Sequence, residues 1–256
     1  MYPTLFVAHG TPSLALENNA YTRFLRNIGI LLPKPQAVVV VSAHWESAVQ
    51  LISSAPRPET MYDFFGFEEP LYEIVYPAEG CLPISLEIQE LLTAEGIRCE
   101  LNEKRGLDHG AWSVLRFLYP NADVPIIALS VNPNRVPEEQ YRIGRALLPM
   151  RERGVMILSS GGTVHNLAKL KWETTGGEAW AIAFDRWLAE HIQVWNLEAL
   201  FDYERRAPYV SDAVPSGEHL LPLFIAMGAA DGKRKARRLH QEYQNRTLSL
   251  AAWMFQ

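Results

Sequence analysis

Cysteine is scarce in this chain: only Cys81 and Cys99 occur among 256 residues. Two thiols cannot staple a polypeptide of this length, so a disulfide framework is excluded and a reduced, cytoplasmic setting is expected. Long hydrophobic runs are also missing. No apolar stretch approaches the roughly 20 residues that span a bilayer. No basic region precedes the apolar residues of MYPTLFVAHG, so a signal peptide is not expected either. Positive charge is not in excess, and the net charge of −5 gives no general attraction to nucleic acid or to an anionic membrane. The basic run KRKARRL ahead of His240 therefore reads as a solvated face. Several catalytic signatures are absent as well. There is no G-x-S-x-G elbow, no Walker ending after the Gly-rich SSGGT, no G-x-G-x-x-G after the first strand and no His-Glu-x-x-His. No cysteine pair has zinc-finger spacing.

What is present is an alternation of short apolar runs and amphipathic stretches. TLFVA (4–8), AVVVVSA (37–43), VPIIALS (124–130) and VMILSS (155–160) have the nearly continuous hydrophobicity of strands covered on both faces. Between them, PISLEIQELLTAEG (83–96) places Ile84, Ile88, Leu91 and Leu92 on one stripe and stops at Gly96. WSVLRFLYP (112–120) predicts a short helix ended by Pro120. Residues 138–154 predict another, interrupted by Pro149. Residues 177–195 predict the longest, with Trp180, Phe184, Trp187, Leu188, His191 and Trp195 on one face. Residues 205–219 read as a loop, and TLSLAAWMF as a closing strand. The fold expected is one α/β domain spanning 1–256, with a central, mostly parallel sheet flanked by helices.

The seven histidines carry the remaining signal. His9 ends the first strand and His44 the second, while His165 follows a third by a short Gly-rich turn. Ligands of open α/β sheets bind at the carboxyl ends of strands. A single histidine there reads as an ordinary hydrogen-bonded residue. Three at equivalent positions point to a shared metal ion, for which neutral imidazole is a common ligand. His109 sits in a Gly-Leu-Asp-His-Gly turn that Asp108 can cap. His219 lies where a Ser-Gly-Glu loop meets an apolar helix that Ser216 can cap. Glu218 is adjacent to it, and consecutive helical residues point about 100° apart, so only one of the two can readily serve a given metal. His191 reads as a core or edge histidine, and His240 as part of the basic surface.

Five segments in order, FVAHGTPS (6–13), VVVVSAHW (38–45), GLDHGAW (106–112), SSGGTVHNL (159–167) and GEHLLPLF (217–224), make the chain resemble the class III extradiol ring-cleavage dioxygenases. The likeness is to the DOPA-dioxygenase-like branch and covers nearly the whole chain. YDFFGFEEPLYEIVYPAEG (62–80), which no periodicity explains, also looks like a family segment. The resemblance implies that His9, His44 and His219 are ligands of one non-haem divalent metal. It implies that His165 is either the catalytic acid/base or a fourth ligand, and that His109 contacts substrate or oxygen. The wider superfamily uses two histidines and a carboxylate, which here would make Glu218 the ligand. The branch places a histidine there, so His219 is preferred.

The activity implied is cleavage of a catechol ring by O₂ to a semialdehyde. Fe(II) would be the working metal, because zinc has no redox chemistry, although zinc can occupy such a site on isolation. Histidine, with an ordinary pKa near ~6.5, suits the proton transfers required. Two other readings stand beside this one: a zinc hydrolase using the same histidines, and a binding protein of the same fold without catalysis. The expected partners are a small catechol and O₂. No residue identifies which catechol; Arg105 or Arg205 is a candidate for holding a substrate carboxylate.

Overall fold

The computed structural model describes residues 1–172 and 175–256. Its strands are β1 (Thr4–Ala8), β2 (Ala37–Glu46), β3 (Gln50–Ser53), β4 (Cys99–Asn102), β5 (Ile126–Val131), β6 (Val155–Gly161), β7 (Ala236–His240), β8 (Tyr243–Gln244), β9 (Leu248–Ser249) and β10 (Ala252–Phe255). Its α-helices are α1 (Ala20–Leu31), α2 (Leu82–Ala94), α3 (His109–Leu118), α4 (Pro137–Ala146), α5 (Leu148–Glu152), α6 (Ala179–Gln193), α7 (Leu197–Phe201), α8 (Tyr203–Arg206), α9 (Val210–Ala213) and α10 (Leu221–Gly228). Eight strands form one sheet in the order β4-β3-β5-β2-β6-β1-β10-β7. The central run β5-β2-β6-β1 is parallel throughout. Antiparallel pairs β3–β5, β1–β10 and β10–β7 extend it towards the edges.

The four valines of β2 show why this sheet is buried on both sides. Side chains alternate across a strand. Val38 and Val40 therefore join α1 and α3 residues such as Leu25, Trp112 and Leu115 on one face. Val39 and Val41 join Ile88 and Leu92 of α2, Ile143 of α4 and Ile225 of α10 on the other. All four are fully buried, and each contributes about 1.5–3 kcal/mol by leaving water. Helix α10 is apolar on every side, and every one of its residues is buried, as expected of a helix enclosed by other layers.

Several expectations are met with shifted limits. Asp108 caps α3, its carboxylate accepting the Ala111 amide at 3.1 Å, so the helix begins at His109 rather than 112. Pro149 divides the 138–154 stretch into α4 and α5, being tolerated only in the first turn of the second. Gly96 follows α2 with φ +72°.

Other expectations are corrected. Strand β2 runs on to Glu46, so His44 lies inside it rather than beyond it. Residues 205–219 are not a plain loop, since α8 ends and α9 forms within them. The buried stripe of α6 is Ala181, Phe184, Leu188 and Ile192. Trp180, Trp187 and His191 sit half-buried at its flank, and Trp195 lies past the helix end at φ +55°. The basic stretch before His240 contains β7, an edge strand whose arginines face solvent. Lysine and arginine on an edge discourage further strand pairing. Cys81 and Cys99 are free thiols. Among the described residues, no helix is long and apolar enough to cross a membrane.

Candidate metal centre

The three adjacent strands β2, β6 and β1 end at one place. His44 comes from β2, His9 follows β1, and Ser160 lies on β6 between them. His109 arrives on the first turn of α3, and His219 just ahead of α10. His165 sits in the loop after β6, whose backbone is tied to Ala213 and to the Ser249 amide, 2.9 and 3.0 Å from His165 N and Val164 O. The structure thus gathers five histidines that are spread over 210 positions of sequence, from 9 to 219. His191 and His240 lie elsewhere. His191 faces Asn196 at 3.3 Å and Trp187, and His240 packs on Tyr21 and Phe24.

Two imidazole nitrogen spacings match those of neighbouring ligands on one ion. His44 Nε2 lies 3.0 Å from His9 Nε2 and 3.3 Å from His219 Nε2. Two nitrogens each about 2.1 Å from one ion are separated by about 3.0 Å at a right angle and about 3.4 Å at the tetrahedral angle. The centroids of these three rings lie 4.8, 5.0 and 5.1 Å apart. Donor atoms of His9, His165 and His219, and of His9, His44 and His109, also fall within 4.8 Å of one another.

Proton positions follow from the partners on the far side of each ring. Ser160 gives its hydroxyl proton to the Gly110 carbonyl at 2.5 Å, so its oxygen must accept from His9 Nδ1, 3.0 Å away. His219 Nδ1 donates to Glu218 Oε1 at 2.9 Å, since a carboxylate only accepts. His109 Nδ1 donates to Asp63 Oδ1 at 3.0 Å, and Asp63 Oδ2 faces His44 Nδ1 at 3.4 Å. With the proton held on Nδ1, the neutral rings of His9, His109 and His219 each keep a bare lone pair on Nε2. The Nε2 atoms of His9 and His219 both face Nε2 of His44, at 3.0 and 3.3 Å. A cation among them satisfies all of these nitrogens at once. Oxygen partners on the outer nitrogens are the usual supports of metal-bound histidine. The donor set therefore fits a divalent metal.

Electrostatics agree. Burial, and then the neighbouring imidazoles, hold His9, His165 and His219 well below the ordinary histidine pKa. Burial followed by His109 brings His44 to about 4. Neutral imidazole is the ligating form. Burial alone would raise the Asp63 carboxyl, but hydrogen bonds and charge from His109 outweigh it and bring it to about 2.

Two features bear on questions left by the sequence. Glu218 touches the far nitrogen of His219 rather than facing the other imidazoles. The His165 and His219 rings are stacked, with centroids 3.5 Å apart and planes 7° from parallel. An imidazole lone pair lies in its ring plane, so the lone pairs of these two stacked rings lie in separate, nearly parallel planes.

A cavity of about 390 Å³ opens on this cluster, reaching His44, His109, His165 and Asp63. Asp63 was not singled out from the sequence. Its only signal is that it lies in the non-periodic aromatic segment 62–80. Neither arginine expected at a substrate carboxylate lines this cavity. Arg105 is bound to Asp108 at 2.7 Å and to the His44 carbonyl at 3.1 Å, and Arg205 lines a different surface pocket. Arg105 is held by Asp108 and β2 and does not line the cavity.

Glycines allow these elements to meet. A Cβ on Gly110 would lie 2.9 Å from the His44 ring, and one on Gly161 only 2.2 Å from the His219 carbonyl oxygen.

Comparison with known proteins gives consistent results. Residues 3–255 match the family described as the catalytic LigB subunit of aromatic ring-opening dioxygenase. A 4,5-DOPA dioxygenase extradiol of Mirabilis jalapa is 36% identical over 246 residues, covering 95% of this chain and 92% of the relative. The Escherichia coli K12 protein of the same name is 36% identical over 237 residues, covering 90% and 86%. The crystal structure of an uncharacterized E. coli K12 protein superposes over all of both chains, with a TM-score of 0.85 and 30% identity.

Proposed function

Because the chain belongs to the LigB family of aromatic ring-opening dioxygenases, we propose that it cleaves the ring of a catechol with O₂, using one Fe(II) held by His9, His44 and His219. The observation that carries this reading is the convergence of the His9, His44 and His219 Nε2 atoms, with Nδ1 of His9 and His219 bonded to oxygen and Nδ1 of His44 3.4 Å from the Asp63 carboxylate. The metal, when bound, supplies the electron transfer between ring and oxygen that zinc cannot.

The protein's own groups supply position and proton transfer. His165 lines the cavity, and its ring nitrogens make no hydrogen bond among the described residues. It is free both to take a catechol proton and to return one, and its parallel stacking on His219 favours this role over ligation. Asp63 holds the His109 proton on Nδ1 and leaves Nε2 as an acceptor toward the cavity. His109 therefore orients a substrate hydroxyl. Phe64, set edge-on to His109 at 5.6 Å, forms an apolar wall for a planar ring.

The relatives' names make DOPA the first substrate to try. The test is anaerobic reconstitution with Fe(II), followed by a panel of catechols in air-saturated buffer. The expected result is a yellow ring-opened semialdehyde from at least one of them, with one metal per chain. No turnover on any catechol, together with zinc-dependent hydrolysis of an ester or amide, would overturn the reading.

A further inference from the structure

Resting on the ring-cleavage reading, we propose that this site selects catechols whose ring substituent is apolar where it leaves the ring, and rejects catechols carrying a carboxylate on the ring itself. Beyond the histidines, the cavity is walled by Phe64, Phe67 and Leu170. Its rim is formed by Phe65, Leu167 and Trp172, which are 91%, 57% and 60% exposed. The one charged side chain among the described lining residues is Asp63, a carboxylate.

Cations near the chamber are engaged elsewhere. Arg105 is bound to Asp108 and the His44 carbonyl, lies over Trp45 and does not line the cavity. The lysines that flank Leu170 pair away from the cavity, Lys169 with Asp212 and Lys171 with Glu178 at 2.9 Å. A benzoate-type carboxylate seated against this wall would lose water, find no cationic side chain among the described lining residues and share the chamber with Asp63. Burying an unpaired carboxylate is heavily penalised. An alkyl substituent meets phenyl and leucyl surface instead and gains by burial. Any charge farther along it can pass the rim into water. Selection thus rests on where a charge sits relative to the ring.

The experiment compares 4-methylcatechol with protocatechuate. With Fe(II) the assay reads kcat/KM, and with zinc, where no turnover occurs, titration calorimetry reads binding. The methyl compound is expected to lead by about a hundredfold in both, the scale on which unpaired polar groups discriminate. Equal or better handling of protocatechuate overturns the proposal. If no catechol is turned over, the ring-cleavage reading fails, and the zinc titration still decides selectivity by the same criterion. Two variants place a cation in the wall: Leu170→Arg, and Phe65→Arg at a position exposed enough to tolerate it. Each is expected to narrow the ratio about tenfold. A ratio unmoved by both, in folded and metal-loaded protein, overturns the assignment of this wall to the substituent.

Discussion

Replacing Gly161 by alanine drives a methyl group against the backbone that carries His219. The added Cβ would stand 2.2 Å from the His219 carbonyl oxygen, a contact that must open to at least 3.0 Å, so something retreats by about 0.8 Å. Two retreats are available. The His219 backbone can move away, carrying its imidazole with it. Alternatively the end of β6 can move, but Gly161 pairs with Ala8 and its carbonyl accepts the His9 amide at 3.3 Å, so His9 moves instead. Either way the Nε2 atoms of His9 and His219 are displaced relative to each other. Metal sites tolerate about 0.2 Å in ligand distance, a quarter of the forced shift. Loss of one of three ligands, or comparable distortion, should lower metal affinity by at least about a hundredfold, the upper range for disturbing the support of a ligand. The assay is competition with a chromophoric chelator on Gly161→Ala, alongside thermal melting of the metal-free protein. Gly154→Ala is the control: that glycine has φ +75°, and its nearest contact is Gln36 at 3.5 Å. It should cost stability, about 1 kcal/mol, without changing metal affinity. Unchanged affinity in Gly161→Ala would refute the claim that the ends of β1 and β6 and the approach to α10 set the ligand spacing.

Other perturbations separate the roles within the cluster. His165→Ala should keep its metal and lose most ring-cleavage turnover, about 10²–10⁴-fold if the group moves protons; lost metal content would instead make it a ligand. Asp63→Asn keeps an acceptor for His109 but removes the charge, and should lower metal affinity or turnover about tenfold. Asp63→Ala strands the His109 amide and Nδ1–H and should cost nearer a hundredfold, read by chelator competition and steady-state rates. Removing the metal with a chelator should lower the melting temperature. A ligand at a hundred times its dissociation constant adds about 2.7 kcal/mol to stability, and an unchanged melt would argue against a site formed only in the folded chain.

The central sheet was legible because its strands are buried on both faces, and nothing else writes four valines in a row followed by polar residues. Edge elements were not. QLIS and CELN are short and half polar, and they pair only because β5 offers an edge to β3. ARRLH reads as a solvated charge run, which is what an edge strand requires on its open side. Helices α7 to α9 are four or five residues each, too short for periodicity to register. In the site, the histidines were legible from their place at strand and helix ends together with the family resemblance. Asp63 was not, since its contact with His109 spans 46 positions and depends on how the 62–80 segment folds back. Ser160 was hidden differently. Within VMILSS it reads as one more strand residue, and only the Gly110 carbonyl reveals that its hydroxyl fixes the His9 tautomer.

That tautomer is what suits the cluster to a cation. Were the rings free to choose, neighbouring imidazoles could satisfy each other, one donating Nε2–H to the next. Ser160 and Glu218 remove that freedom from His9 and His219, each claiming an Nδ1 proton from the side away from the centre, and Asp63 does the same for His109. Adding a proton between two rings would settle one pair and leave the third ring without a donor, in a site where burial already opposes protonation. A divalent ion satisfies all three at once. The outer acceptors thus choose the occupant as firmly as the ligands do: they spend the protons that would otherwise let the histidines do without it.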